Sequence, residues 1–401
     1  MRIVLTMIVK DEEHVIERAL SSCVDFIDAY CIVDTGSTDK TKNVINAFFD
    51  KHPKIPGKIV DFEFTNFEEC RNKSIEHGKD LGDYGFWIDA DEELRLNSTW
   101  NKNAFKKHLN DQQPDQLFFK CVYGGLRYNR GQLYRFKSNY TWYGPVHEIL
   151  RSIDVENENG EDFPYGDVFI RAEGNSWTGD ISKKYEDHAN ILLEYQEEHD
   201  WKDPRWTFYL AQSYKDAALI AIGKNPKDER GLDLIKKACN FYKDRVATGG
   251  GFRQEIYYSQ LMVGRLSLYT TSTEHVIYEL SKCEEYNSDG RIEHIFELTT
   301  LYRNAKMWRN AKMVSDIAHS ILHNNKNNAT LFVEHDIYTW RFYDNFSVVL
   351  YFNGLLDESL KVAEWILNKY SKQMPDVERN RIESNKKLTA NAISARQNPQ
   401  L

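Results

Sequence analysis

The feature that most constrains this chain is a change of rhythm near residue 180. Before it, short apolar runs alternate with segments of helical period; after it, runs of β type almost vanish. Strand–helix–strand alternation implies a mainly parallel sheet with helices on both faces. The runs Arg2–Val9, Tyr30–Val33, Lys58–Phe64 and Gly85–Ile88 read as strands, and Leu117–Tyr123 and Gln132–Phe136 as later ones. Asp11–Ile27, with Val15, Ile16, Ala19, Leu20 and Cys23 at helical spacing, reads as a helix. So does Lys42–Phe49, with Val44, Ile45, Phe48 and Phe49 on one face. Asn66, followed three residues later by Glu69, marks another helix start of capping-box type. From Lys183 to Lys372 the pattern is helical, with aromatic-rich helices at Trp206–Tyr214, Ile256–Leu268, Ile295–Tyr302 and Ile337–Tyr351. The expected architecture is an α/β domain over residues 1–180, followed by an all-α helical-repeat domain over 181–401 that ends in a last helix and a frayed tail.

Ligands of open parallel sheets bind beyond the carboxyl ends of the strands. Three chemically loaded loops fall there: Lys10-Asp11-Glu12, Asp34–Asp39, and Asp89-Ala90-Asp91-Glu92. Asp89 and Asp91, delivered by the apolar run Phe86-Trp87-Ile88, can converge on one divalent cation. Oxygen ligands suit Mg²⁺ or Mn²⁺, which keep open positions for a substrate diphosphate. Asp34 ends an apolar strand and is placed to accept hydrogen bonds from a ribose or a base. Arg71 can pair with a phosphate or stack on a base. His147-Glu148 follows a turn containing Gly144 and Pro145; one side chain could complete a metal site while the other holds or deprotonates an acceptor.

Composition removes several classes. With 52 Lys+Arg against 61 Asp+Glu and a net charge of -9, the chain lacks the basic excess usual for a nucleic-acid binder. No run approaches the roughly 20 apolar residues of a membrane helix. Ile3–Val9 is too short for a signal h-region, so a mature cytosolic N-terminus is expected. The six cysteines show no CxxC spacing and read as buried, reduced thiols. There is no Walker A, GxGxxG, HExxH or GxSxG motif, which leaves metal-assisted nucleotide chemistry as the site to pursue.

Taken together, Lys10-Asp11-Glu12-Glu13, Val33-Asp34-Thr35-Gly36-Ser37-Thr38-Asp39, Cys70-Arg71-Asn72 and Asp89-Ala90-Asp91-Glu92 resemble glycosyltransferase family 2, inverting enzymes with a GT-A, Rossmann-like fold. Trp142-Tyr143-Gly144-Pro145-Val146-His147-Glu148 is similar to the W-x-G-x-V-H-E element of a branch in which a tetratricopeptide-like helical domain follows the transferase. The segment from Asp203 to Tyr214, Arg291-Ile292-Glu293 and Tyr302-Arg303 resemble motifs of that helical domain. The resemblance implies a metal-dependent inverting transferase moving a sugar, hexosyl or N-acetylhexosaminyl, from a nucleotide-sugar donor, usually a UDP-sugar, to a glycan, protein or small-molecule acceptor. It implies that Thr6 or its neighbours and Asp34 contact the uridine, that Arg71 lies near the base, that Asp89 and Asp91 face the ribose and the metal–diphosphate, and that His147 adds a metal ligand. Glu148 is the candidate base, with an acid of the 97–125 region as rival. Many relatives carry two adjacent acids in the second loop; here the second is Thr35. The helical domain is expected to orient an acceptor or to form a homodimer. The competing readings are a non-catalytic scaffold with a degenerate transferase domain, and a nucleotidyltransferase. The latter usually has a Gly-rich basic first loop, and Lys10-Asp11-Glu12-Glu13 is acidic and lacks Gly.

Overall fold

The computed structural model describes residues 1–123, 126–154, 159–170, 180–198, 203–324 and 328–397. Gly124 and Gly125, at the end of the segment named above for a rival base, and the tail after Gln397 lie outside the described residues. The chain divides into two units, Met1–Glu198 and His199–Leu401.

The first unit runs β1 (Ile3–Val9), α1 (Ile16–Cys23), β2 (Ala29–Asp34), α2 (Thr41–Asp50), β3 (Gly57–Asp61), α3 (Phe67–Gly78), β4 (Tyr84–Trp87), β5 (Glu92–Leu96), α4 (Lys102–Gln112), β6 (Gln116–Tyr123), β7 (Leu126–Arg135), β8 (Tyr140–Tyr143), β9 (Ile149–Ser152), β10 (Gly160–Ile170) and α5 (Ile181–Glu198). Among the described residues, eight strands form one sheet in the order β3-β2-β1-β4-β7-β6-β10-β5, while β8 and β9 pair in a sheet of their own. The pairs β1–β2, β1–β4, β2–β3 and β6–β10 are parallel; β4–β7, β6–β7 and β5–β10 are antiparallel. The sheet is therefore parallel where the acidic loops sit and mixed beyond. Strand order reverses at β1, which lies between β2 and β4, so a crevice opens at their carboxyl ends.

The core explains the elements. Fully buried Ile3, Leu5, Ile32 and Phe86 from the strands meet Ile16, Ala19, Leu20 and Phe26 from α1 and the turn after it. Expected helix Asp11–Ile27 is shorter, because Asp11 takes a left-handed backbone (φ 55) that an α-helix cannot include. Asn66 caps α3 as its spacing predicts, its side chain accepting from the Glu69 N–H at 2.9 Å.

The second unit is helical: α6 (Pro204–Lys224), α7 (Glu229–Thr248), α8 (Arg253–Ser267), α9 (Thr273–Ser281), α10 (Glu293–Asn304), α11 (Trp308–Asn324), α12 (Phe342–Phe352), α13 (Leu356–Tyr370) and α14 (Asp376–Gln397). Each helix packs on its successor, the near-neighbour pattern of a helical-repeat array. Asp203 caps α6 ahead of Pro204 at its first position. The Arg291-Ile292-Glu293 motif is an internal ion pair, 2.7 Å long, with side chains 1% and 0% exposed. Tyr338, on a π-turn leading into α12, donates to the same Glu293 at 2.6 Å. Among the described residues no helix is long and apolar enough to cross a membrane. All six cysteines are free and buried.

Candidate functional site

The carboxyl ends of β1, β2 and β4 bring the acidic motifs to one edge. Asp34, the last residue of β2, is 2% exposed. Its Oδ1 accepts from the Gly36 and Ser37 N–H groups at 3.0 and 2.8 Å, a turn that Gly36 permits with φ 103. Its Oδ2 is buried without a hydrogen-bond partner. A buried polar atom left unpaired costs about 1–3 kcal/mol, so this oxygen marks a place where a donor group from a ligand would be accepted.

The acids of the first loop do other work. Asp11 Oδ1 accepts from the Thr38 N–H at 2.6 Å, and Glu13 from the Lys40 N–H at 2.9 Å. They tie the first loop to the second and hold Asp34 in its turn.

Thr6, expected with its neighbours at the uridine, sits within a strand. It lies in the middle of β1 rather than at its end, is 2% exposed, and shares a 3.0 Å hydrogen bond with the Tyr134 hydroxyl. Its own hydroxyl also donates to the Phe86 carbonyl at 3.3 Å. A mid-strand side chain on a covered sheet face does not reach a ligand at the strand ends.

Arg71, expected near the base, is engaged by two carboxylates. It is 7% exposed and donates from Nε to Glu148 Oε1 at 2.5 Å and from Nη2 to Asp89 Oδ1 at 2.8 Å. Its guanidinium sits in the corner made by the Trp87 and Trp142 rings, 4.9 and 4.8 Å from their centroids. Little surface is left for a base to stack on. Arg71 instead joins the two acidic motifs that the sequence keeps far apart. Arg130, which carried no sequence signal, repeats the device: it grips Glu92 with both carboxylate oxygens at 2.8 and 2.6 Å and lies 4.3 Å over the same Trp87 ring.

The charges of the Asp89–Asp91 pair split accordingly. Burial alone would raise the Asp89 carboxyl, but Arg71 and Arg130 outweigh it and hold Asp89 below the usual carboxylate range. Among the described residues Asp91 makes no ion pair, although Lys184 and Arg130 act on it from a distance. Burial first, and the Asp89 charge second, push its carboxyl up to about 6. An acid crowded this way is relieved by a cation, so Asp91 fits a divalent metal. Among the described residues, no three His, Cys, Asp or Glu side chains surround a common point as a metal cage. A cation at Asp91 would therefore take most of its ligands from substrate oxygens and water.

His147 follows the β8 turn with a left-handed backbone (φ 56). Its ring lies edge to face with that of His188, centroids 6.1 Å apart. His188, on α5, was missed because α5 reads as part of the helical domain. Burial, reinforced by Lys184, pushes its imidazole down to about 4, and its Nδ1 is buried without a partner. Helix α5 thus brings a neutral imidazole beside His147, with Lys184 close enough to act on Asp91.

Residues 5–148 match the model of Glycosyl transferase family 2, a stretch that lies within the N-terminal unit. The chain is 29% identical over 153 residues to a TPR repeat-containing protein of Synechococcus elongatus, covering 36% of this chain and 34% of that protein. It is 26% identical over 249 residues to the SPbeta prophage-derived glycosyltransferase SunS of Bacillus subtilis, covering 59% and 53%. The chain thus spans about a third to a half of the length of these relatives. Among solved structures, S. aureus TarS (residues 1–349) is similar at 15% identity and a TM-score of 0.37, covering 73% of this chain and 92% of that one.

Proposed function

We propose that this protein is a metal-dependent, inverting glycosyltransferase that moves a hexosyl or N-acetylhexosaminyl group from a UDP-sugar to an acceptor hydroxyl. The observation that carries the reading is that Asp34, with an unsatisfied buried oxygen, ends β2 while Asp91, its carboxyl raised by burial and by Asp89, follows β4 on the other side of β1. Asp34 Oδ2 accepts a hydrogen bond from the nucleoside. Asp89, fixed by Arg71, serves the ribose. Asp91 and His147 hold a Mn²⁺ or Mg²⁺ ion, which when bound neutralises the leaving diphosphate. His188 finds its missing partner at the diphosphate end of the donor. Glu148 takes the acceptor proton through Oε2, the oxygen outside its hydrogen bond to Arg71. The acceptor hydroxyl attacks from the face opposite the leaving group, so the anomeric centre inverts. Buried free thiols support a reducing, cytoplasmic setting. The helical unit, a stack of helices, suits orienting an acceptor or a second copy of the chain.

The test is a thermal-shift screen of the full chain with UDP, GDP and ADP, each with and without Mn²⁺. Stabilisation grows as RT ln(1 + [L]/Kd), so millimolar ligand reveals weak specific binding. A Mn²⁺-dependent shift with UDP is expected. Absence of any nucleotide shift would sink the transferase reading and leave a scaffold acting through its helical unit.

A further inference from the structure

Segment 142–148 carries Trp142, His147 and Glu148, yet β8 and β9 share no ladder with the eight-stranded sheet. Besides the packing of Tyr140 and Trp142 on Tyr134 and Trp87, one face of α3 holds the ribbon against that sheet through hydrogen bonds. Phe67, Glu68, Arg71 and Asn72 lie at helical spacings that share a face. The Phe67 N–H donates to the Pro145 carbonyl at 3.1 Å, and Glu68 accepts from the Gly144 N–H at 2.6 Å. Arg71 reaches Glu148 at 2.5 Å. Asn72 makes the fullest contact. Its Nδ2 donates to the Trp142 carbonyl at 3.0 Å, while Oδ1 accepts from the Trp142 N–H at 2.8 Å and from the Thr141 hydroxyl at 3.0 Å. A single amide side chain satisfies both backbone groups of Trp142, as a neighbouring strand would.

We infer that Asn72 is a positioning residue for the transfer reaction. It fixes the Trp142 backbone, Trp142 with Trp87 forms the corner that holds the Arg71 guanidinium, and Arg71 sets Glu148 against Asp89. The donor edge of the sheet and the ribbon with the candidate base are thereby kept in register by two adjacent residues of α3. Reacting groups displaced by about 1 Å lose on the order of a hundredfold in rate. This inference rests on the transferase reading proposed above.

The experiment compares full-length wild type, Asn72→Ala and Thr141→Val. UDP affinity is measured by titration calorimetry with Mn²⁺, and turnover by release of UDP from a UDP-sugar. Asn72→Ala is expected to bind UDP within threefold of wild type and to lose roughly 10- to 100-fold in kcat. Thr141→Val, which removes one contact to Asn72 and leaves the Trp142 pair, is expected to stay within threefold in both. Unchanged kcat in Asn72→Ala would overturn the inference. So would UDP affinity, kcat and thermal midpoint falling together, the signature of a merely structural role. A wild-type chain that neither binds UDP nor releases it would instead remove the transferase reading itself, before any variant is compared.

Discussion

Replacing Arg71 with Met keeps an apolar stem against the Trp87 and Trp142 rings and removes only the charge. Glu148 and Asp89 are then left without their cation. The side chains of Arg71, Glu148 and Asp89 are 8%, 11% and 34% exposed. Removing one partner of a buried pair costs about 3–5 kcal/mol, which applies to Glu148. Asp89, a third open to water, adds no more than about 1 kcal/mol. Relaxation around the smaller side chain favours the lower end, so about 3–4 kcal/mol is expected in total. For a unit of this size, each kcal/mol moves Tm by roughly 2–4 °C, giving a drop of about 6–16 °C by scanning calorimetry at pH 7. The pH dependence has a definite sign. Asp89 titrates below its ordinary value in the folded chain, so its contribution is full above the unfolded carboxylate range and is lost as pH falls through the folded value. The gap between wild type and Arg71→Met should be steady from about pH 5 to 8 and narrow below about pH 4. A variant within 1 kcal/mol of wild type at pH 7, or a gap that widens on acidification, would refute Arg71 as the group that holds both acids.

Four further outcomes are expected. Protons and Mn²⁺ compete for Asp91, whose carboxyl is raised to about 6, so Mn²⁺ affinity followed by electron paramagnetic resonance should weaken as pH falls through that value; Asp91→Asn should lose the dependence, and a flat wild-type profile would count against Asp91 as a ligand. Because a raised carboxyl stabilises the fold only while protonated, the metal-free protein should lose stability as pH rises toward and past about 6, and Asp91→Asn should recover it. Thr6→Val should cost about 1 kcal/mol through the lost Tyr134 contact while UDP affinity stays within threefold; a tenfold affinity loss would return Thr6 to the nucleoside site. His188→Phe removes a buried nitrogen without a partner and should raise Tm of the ligand-free chain, yet lower it relative to wild type once UDP and Mn²⁺ are present; equal ligand-induced shifts would leave His188 a core residue.

Much of this architecture was legible residue by residue. Apolar runs ending in acids located β1, β2 and β4 and the loops after them, because strand period and loop chemistry are local properties. The Asn66 cap was legible for the same reason. Strands β5, β8, β9 and β10 were not foreseen. β5 and β10 pair with partners far along the chain, Gly160–Ile170 includes Pro164, which weakens a strand signal, and β8 and β9 are four-residue strands of one short hairpin. Arg71 drew notice for its residue type and proximity to a motif, but its two carboxylate partners could not be read, since a guanidinium that can meet a phosphate can equally meet two carboxylates. Arg130 and His188 gave no local sign, because each matters through a neighbour that only folding supplies.

By itself the sequence determined that an α/β unit would come first and a helical unit second, and which acids would stand at strand ends. Periodicity and turn chemistry act over a few residues, so they can be read without a partner. The tertiary structure alone decided what those acids do. It joined Asp89 to Glu148 through one buried guanidinium, left Asp91 crowded and Asp34 with an unsatisfied oxygen, turned Thr6 into the core, and brought α5 beside His147. Charge and burial depend on distances across the fold rather than along the chain, and those distances exist only once the sheet has closed.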